Sequence, residues 1–353
     1  MSIRETSILL LVLRRLGDVL LATPLLRSLR RAYPDATIDV MVYAGQEGIL
    51  AGNPDCSNVI AVDPYPDRAG YFRLVRRLWR HYDLALTTQT NDRSHLYAFL
   101  FARRRVGLVS DLRWSSFWKR GSCSKYAVLD DMNTHTVIQN LVLADLLGIP
   151  RVYEVVPPAG DQPGPSLENY AVLHPYPKFN YKQWTRSGWA SLIDWLRGQG
   201  LRVVLTGGPD PDEKAYNAGL VPKGEALDLT GRLSLGALSA LYRKARLYVG
   251  PDTSTTHLAA ACGVPTLALF GPTNPVKWGP WPAGHEGSNP YQRRGRQRVG
   301  NVLLLQGVQP ADLGRCVPCH LEGCERHLRS YSRCLTEMPL DPVRSAALEL
   351  LRS

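Results

Sequence analysis

Several patterns are missing from this chain, and each absence narrows what it does. No apolar run reaches the roughly 18 residues of a membrane-spanning helix. The opening MSIRETSILLLVLRRLGDVLLATPLL resembles a signal peptide only at first glance. Its apolar stretch Ile8–Leu13 is short, Arg14-Arg15 break it, and no small-residue cleavage site follows. It reads as a first buried strand, and a cytoplasmic protein is expected. No zinc-finger, RNP or basic-zipper pattern accompanies the arginines, so nucleic acid is not an expected partner. The first strand is not followed by G-x-G-x-x-G, which removes support for a dinucleotide. No internal repeat is visible.

What is present is a surplus of positive charge. The 353 residues carry 42 Lys and Arg against 31 Asp and Glu, a net charge of +11. Charge alone predicts an acidic partner without choosing between nucleic acid, anionic lipid and phosphorylated glycan. The basic residues cluster at Arg73, Arg76, Arg77 and Arg80, at Arg103-Arg104-Arg105, at Arg113, Lys119 and Arg120, and at Arg293, Arg294, Arg296 and Arg298.

The length predicts two domains, and the pattern divides accordingly. Residues 1–156 alternate strand and helix: strands at Ser7–Leu13, Thr37–Val42, Val59–Val62 and Leu84–Thr87, helices at Asp18–Tyr33, Tyr71–His81, Asn91–Phe101 and Thr134–Leu147. Gly107–Tyr126 reads as irregular. A stretch dense in Pro and Gly, Val156–Pro165, reads as a linker, taken as residues 157–168. The alternation then restarts over 169–340. Strands are expected at Tyr170–His174, Leu201–Thr206, Ala226–Leu229, Arg246–Val249 and Thr266–Phe270, and helices at Gly188–Gly198, Asp210–Gly219 and Leu235–Lys244. Two such halves predict an α/β protein with two Rossmann-like domains facing across a cleft.

The most informative stretch is ARLYVGPDTSTTHLAAACGVPTLALFG, residues 245–271. It reads as a strand, a turn at Gly250-Pro251, a helix opening at Asp252-Thr253-Ser254 and ending at Gly263, and a second strand. The unpaired N–H groups and dipole of a helix start suit a phosphate. Asp252 equally suits a helix cap. Asp18, after Gly17 at the end of the first strand, poses the same choice between a cap and a general base.

GPDTSTTHLAAACGVPTLALFGPTNP is similar to the nucleotide-sugar motif of the bacterial lipopolysaccharide heptosyltransferases, glycosyltransferase family 9. Asp252, Thr253, His257, Gly263-Val264-Pro265 and Gly271-Pro272-Thr273 match, while Ser254 stands where the family usually has glycine. Gly17-Asp18, Leu20 and Pro24 resemble the family's N-terminal motif, and Lys182-Gln183-Trp184 its Lys-x-Trp. The resemblance implies a GT-B fold. It also implies an inverting transfer of L-glycero-D-manno-heptose from ADP-heptose to the inner core of lipopolysaccharide. Asp18 would be the base, and Lys182 would pair with the donor diphosphate, with Lys178 as a second candidate. Glu213, or its neighbour Asp212, would hold the ribose, and Leu233 would lie against the adenine. Thr253 and Ser254 would offer N–H groups to the diphosphate, with His257 beside them, and Asp252 would hold the turn or sugar hydroxyls. Trp184 is expected to pack in the core. The terminal helix, Asp341–Leu351 within residues 341–353, would cross back to the first domain. Partners would be the ADP-sugar and a lipid-linked core oligosaccharide, met in peripheral contact with the inner membrane. The alternatives are an enzyme of this fold using another nucleotide sugar, and a non-catalytic sugar- or lipid-binding protein.

No Asp-x-Asp metal motif is read in the chain, so no divalent ion is expected at the diphosphate, and no cofactor is expected. Cys316, Cys319, Cys324 and Cys334 cluster near the C-terminus, with His320 and His327 among them. In a cytosolic chain such a cluster suggests a metal before disulfides, but the spacing is not the paired CxxC…CxxC of a zinc ribbon. A similar tail occurs in heptosyltransferase III-like members. Structural zinc is one reading of the four thiols, and packing or a reversible disulfide is the expected one.

Overall fold

The computed structural model describes residues 6–110, 114–159, 166–220, 224–314 and 316–352. The chain forms two compact units, Met1–Pro158 with Glu286–Ser288, and Ala159–His285 with Asn289–Ser353. The units divide between Pro158 and Ala159; residues 160–165 of the Pro-rich segment lie outside the described residues, as does Arg113.

The first unit is a six-stranded sheet of β1 (Ser7–Val12), β2 (Thr37–Tyr43), β3 (Asn58–Val62), β4 (Tyr82–Thr87), β5 (Ala102–Val109) and β6 (Lys125–Val128). Their spatial order is β3-β2-β1-β4-β5-β6, with every pairing parallel. A parallel sheet covered on both faces needs nearly continuous apolar strands, and SILLLV in β1 has five of six residues buried. Leu9, Leu11, Met41, Ala85 and Phe101 share one core.

The second unit has β7 (Tyr170–Leu173), β8 (Arg202–Leu205), β9 (Leu227–Asp228), β10 (Leu247–Pro251), β11 (Thr266–Phe270), β12 (Gln297–Val299) and β13 (Val302–Gln306). The order is β12-β13-β11-β10-β7-β8-β9, with only β12 antiparallel to its neighbour. Each unit builds outward from its first strand in one direction, then returns to build in the other. That reversal makes β1/β4 and β7/β10 the switch points, where ligands sit outside the strands' carboxyl ends.

The structure differs from the sequence reading in four places. The expected helix over 18–33 is two helices, Leu16–Leu20 and Thr23–Ala32. Pro24 lacks an N–H and cannot continue the first helix's ladder. The freed Leu20 carbonyl accepts from the Thr23 hydroxyl at 2.7 Å, and the Leu21 carbonyl from Asn140 Nδ2 at 3.1 Å. The expected irregular stretch Gly107–Tyr126 contains the end of β5, the Phe117–Ser122 helix and the start of β6. In β5 three arginines conceal a strand. The Arg105 guanidinium donates to the Ala102 carbonyl at 3.1 Å and lies over the Phe99 ring, so the backbone pairs while the charged head stays outside.

β12 and β13 were not expected either, although VLLL after Asn301 carries the signal of a buried strand. The terminal helix, Leu340–Leu351, packs on the second unit instead of crossing to the first. Val343, Ala346, Ala347 and Leu350 form an i, i+3, i+4, i+7 stripe. That stripe is buried in the same core as Trp189, Val249, Leu267 and Leu303.

Asn140 links the Thr136–Leu147 helix to the break that sets up Asp18. Replacing Asn140 by Ala leaves the buried Leu21 carbonyl unpaired and is expected to cost about 1–3 kcal/mol. A shift in the urea unfolding midpoint measures it, and an unshifted midpoint contradicts this role.

Candidate functional site

In the second unit the loops leaving β7 and β10 separate at the switch point, and the side chains singled out from the sequence line both. The β7 loop carries Lys182 at the end of a 3-10 turn, Asn180–Lys182. The β10 loop carries Asp252. Lys182 Nζ donates to Asp252 Oδ2 at 2.5 Å, with side-chain exposures of 18% and 6%. Burial pushes the Asp252 carboxyl up, but the Lys182 ammonium, with the Thr273 hydroxyl, more than offsets this and holds it below its ordinary value. Asp252 thus caps no helix and Lys182 does not stand alone: each is the other's counter-ion.

The Ser254–Ala261 helix follows. Thr253 is its N-cap position, yet its side chain makes no capping bond to the helix. The Thr253 hydroxyl is tied instead to the Thr255 hydroxyl at 2.8 Å. Tyr248, on β10, meets the Thr256 hydroxyl at 3.0 Å. Threonine side chains thus hold the helix start rigidly from behind, leaving its first N–H groups without a side-chain cap. Ser254 is the first helical residue and half-buried, so it presents its backbone N–H despite replacing a glycine. His257 is buried, and burial pushes its imidazole down to about 4 although Asp252 pulls the other way. It is therefore neutral at pH 7, and its buried Nδ1 has no hydrogen-bond partner among the described residues. A buried polar atom without a partner is uncommon. The helix ends where Gly263 takes φ +80°, a left-handed conformation that glycine adopts without strain.

The neighbouring β8 loop separates two candidates that the sequence left together. Asp210 caps the Pro211–Ala218 helix by accepting from Asp212 N at 2.9 Å. Asp210-Pro211-Asp212 does have Asp-x-Asp spacing, but one carboxylate is the cap and Asp212 is exposed. Glu213 turns inward over Gly207-Gly208. A Cβ at Gly207 would lie 2.7 Å from Glu213 Oε1, so only glycine admits the carboxyl there. Burial raises the Glu213 carboxyl, with the Gly208 N–H partly offsetting it. His174, given no role from sequence, stands 3.6 Å from Glu213 Oε1 and meets the Thr206 hydroxyl at 3.3 Å. Its position directly after a buried strand was the available signal. The Gly231 N–H donates to the Gly207 carbonyl at 2.9 Å, which brings the β9 loop alongside, with half-buried Leu233 two residues on. Lys178 is exposed on the β7 loop. Trp184 is in the core as expected, its Nε1 donating to the Met338 carbonyl at 3.0 Å.

In the first unit Asp18 is the third residue of its short helix, with Arg15 at the N-cap position, so it is not a cap. It is buried to 7% exposure at the carboxyl end of β1, 3.6 Å from Arg14 Nε. The cysteines Cys316, Cys319, Cys324 and Cys334 carry free thiols. Burial pushes Cys334 up to about 12, and its three neighbouring thiols add to the shift. Among the described residues no group of three or more His, Cys, Asp or Glu side chains is arranged to hold a metal ion.

Residues 71–296 match glycosyltransferase family 9 (heptosyltransferase). The chain belongs to this family. It is 31% identical to lipopolysaccharide heptosyltransferase 3 of Escherichia coli, over 84% of this chain and 94% of that one. Among solved structures it resembles the family 9 glycosyltransferase of Veillonella parvula, with a TM-score of 0.75 at 21% identity over 98% and 97% of the two chains. It also resembles E. coli heptosyltransferase WaaC with ADP-2-deoxy-2-fluoro heptose, with a TM-score of 0.65 at 20% identity over 89% and 97%. The likeness to these family 9 structures makes the fold GT-B. As a family 9 member the protein is a glycosyltransferase.

Two measurements test the site's electrostatics. His174 and His257 are both held near 4 against an ordinary 6.5. Between those values the unfolded chain binds protons that the folded chain refuses, so stability is full above about pH 6.5 and falls as pH drops. Glu213, raised on folding, opposes this with one proton against two. The urea midpoint of the second unit is expected to be lower at pH 5 than at pH 7, and equal midpoints contradict the assignment. Lys182→Met leaves Asp252 buried without its counter-ion. It is expected to cost about 3–5 kcal/mol, with a loss below 1 kcal/mol contradicting the pair's burial.

Proposed function

We propose that the protein transfers L-glycero-D-manno-heptose from ADP-heptose, with inversion, to the inner core of lipopolysaccharide. The observation that carries this reading is the Lys182–Asp252 pair at an uncapped helix start, with Glu213 turned in over Gly207-Gly208 on the β8 loop. Together these groups form a seat with one place for a diphosphate and another for a ribose. Family membership and the names of the relatives support the choice of donor and acceptor.

In this reading the diphosphate lies on the N–H groups of Thr253 and Ser254, with His257 Nδ1 offered to a phosphate oxygen. Asp252 does not face the phosphate. It holds the Lys182 ammonium in place, so that this charge need not be reorganised when the anomeric C–O bond breaks and negative charge grows on the departing ADP. Lys178, on the same loop, serves the outer phosphate oxygens. Glu213 accepts from the ribose hydroxyls, with Asp212 its solvent-facing neighbour, and Leu233 lies against the adenine. The counter-charge to the diphosphate is thus lysine and helix rather than a divalent ion, and no cofactor is used.

Asp18 is the base. The acceptor hydroxyl attacks the anomeric carbon from the face opposite the diphosphate, and its proton passes to the Asp18 carboxylate as the new C–O bond forms. A carboxylate is a weak base. A weak base suffices when the proton leaves late, from a hydroxyl already bonding to an activated carbon.

No helix among the described residues is long and apolar enough to cross a membrane. The lipid-linked acceptor would be met at the cytoplasmic face of the inner membrane, in peripheral contact favoured by the net charge of +11.

Asp18→Asn is expected to lower kcat by roughly 10²–10⁴-fold while leaving ADP affinity within twofold. Near-normal turnover removes Asp18 from the base role. Glu213→Gln is expected to weaken ADP binding by about tenfold, equivalent to ~1.4 kcal/mol. Calorimetry showing UDP bound and ADP ignored contradicts the donor assignment.

A further inference from the structure

The donor seat leaves one buried side chain without a task. His174 is the first residue after β7, and its backbone N–H donates to the Val249 carbonyl on β10 at 3.0 Å. The imidazole therefore sits at the switch point, and the residue is 6% exposed. Its Nδ1 meets the Thr206 hydroxyl at 3.3 Å, and its Nε2 faces Glu213 Oε1 at 3.6 Å. Thr206 is itself the first residue after β8 and is pinned to β7, its N–H donating to the Leu173 carbonyl at 2.9 Å. Two strand ends thus hold the ring between a hydroxyl and a carboxyl.

A neutral imidazole carries one N–H and one lone pair, and burial keeps His174 neutral at pH 7. With the proton on Nδ1, the Nε2 lone pair would oppose Oε1, acceptor against acceptor. With the proton on Nε2, the N–H points at the carboxyl and the Thr206 hydroxyl donates to Nδ1. That hydroxyl also lies 3.2 Å from the Leu173 carbonyl, which the Thr206 N–H already serves. Only the second tautomer gives both ring nitrogens an attractive partner. At 3.6 Å the Nε2–Oε1 contact exceeds a formed hydrogen bond. It acts as an N–H dipole aimed at a carboxylate, an attraction that a low local dielectric strengthens. Glu213 needs such a group. The Gly208 N–H favours its charged form, but burial and Asp210 both push the carboxyl up. Once protonated, it would present fewer acceptors to a pair of hydroxyls.

We infer that His174 is a positioning residue of the donor seat: braced by Thr206, its Nε2–H holds the Glu213 carboxylate turned inward as an acceptor for the ribose hydroxyls. This role depends on Glu213 being the ribose acceptor proposed above. His174 itself makes no contact with the sugar and transfers no proton. The Gly207-Gly208 turn gives the carboxyl room, and the imidazole fixes where in that room it points.

The test uses the full chain and calorimetry with ADP and 2′-deoxy-ADP. The wild type is expected to prefer ADP by about tenfold. His174→Leu is expected to weaken ADP binding about three- to tenfold while leaving 2′-deoxy-ADP within about twofold, so that the preference shrinks. His174→Gln, whose amide N–H can replace Nε2–H, should restore most of it. In a Glu213→Gln background His174→Leu should change ADP binding by less than about twofold, because a residue acting through Glu213 has nothing left to position. Thr206→Val, which removes only the brace, should shrink the preference by about two- to threefold and gives a second reading if His174→Leu does not fold. Equal losses for both nucleotides, or a full His174→Leu effect with Glu213 already replaced, overturn the proposal and make His174 a packing residue. A wild type that binds ADP and 2′-deoxy-ADP alike removes the ribose role of Glu213 itself, an outcome distinct from a wild type that discriminates and a His174→Leu variant that discriminates equally.

Discussion

The ion pair between Lys182 and Asp252 is the constraint around which the second unit's site is arranged. It joins the loops that leave β7 and β10, where the sheet reverses direction and no strand lies between them. An isolated buried aspartate would be costly, and so would an ammonium with only 18% of its side chain exposed. Once paired, both charges are held to one geometry. The Ser254–Ala261 helix start and the neutral His257 then lie beside a fixed charge. The threonine network behind the helix start complements this by occupying the side chains that would otherwise cap it.

The two units divide the chemistry by charge. In the second, polar groups are buried and engaged with one another, and both site histidines are held neutral by burial. In the first, the carboxyl edge of the sheet bears the buried carboxylate of Asp18.

Much of this was legible in the sequence. The strand-helix alternation outlined both sheets, and Asp18, Lys182, Glu213, Asp252 and His257 all lie in the loops or first helical turns that follow strands. What was not legible is pairwise. Asp252 followed by Thr-Ser looks like a cap on a helix of its own, and only the fold brings a lysine 70 residues earlier to meet it. Asp212 and Glu213 are indistinguishable until the cap position is known to be Asp210. β5 was hidden because three arginines outweigh the apolar residues of an edge-side strand, and the terminal helix has a stripe that any apolar sheet could have received. In each case local pattern identified an element, and its partner was set by tertiary packing.

The transfer makes one bond and breaks one at the anomeric carbon. The most direct measurement incubates the purified protein with ADP-heptose and a core glycolipid lacking its next heptose, then analyses the product by mass spectrometry and NMR. The account predicts a glycolipid heavier by one heptose, ADP released in equal amount, and an anomeric configuration opposite to the donor's. A glycolipid of unchanged mass, or a heptose added with the donor's configuration retained, would contradict it.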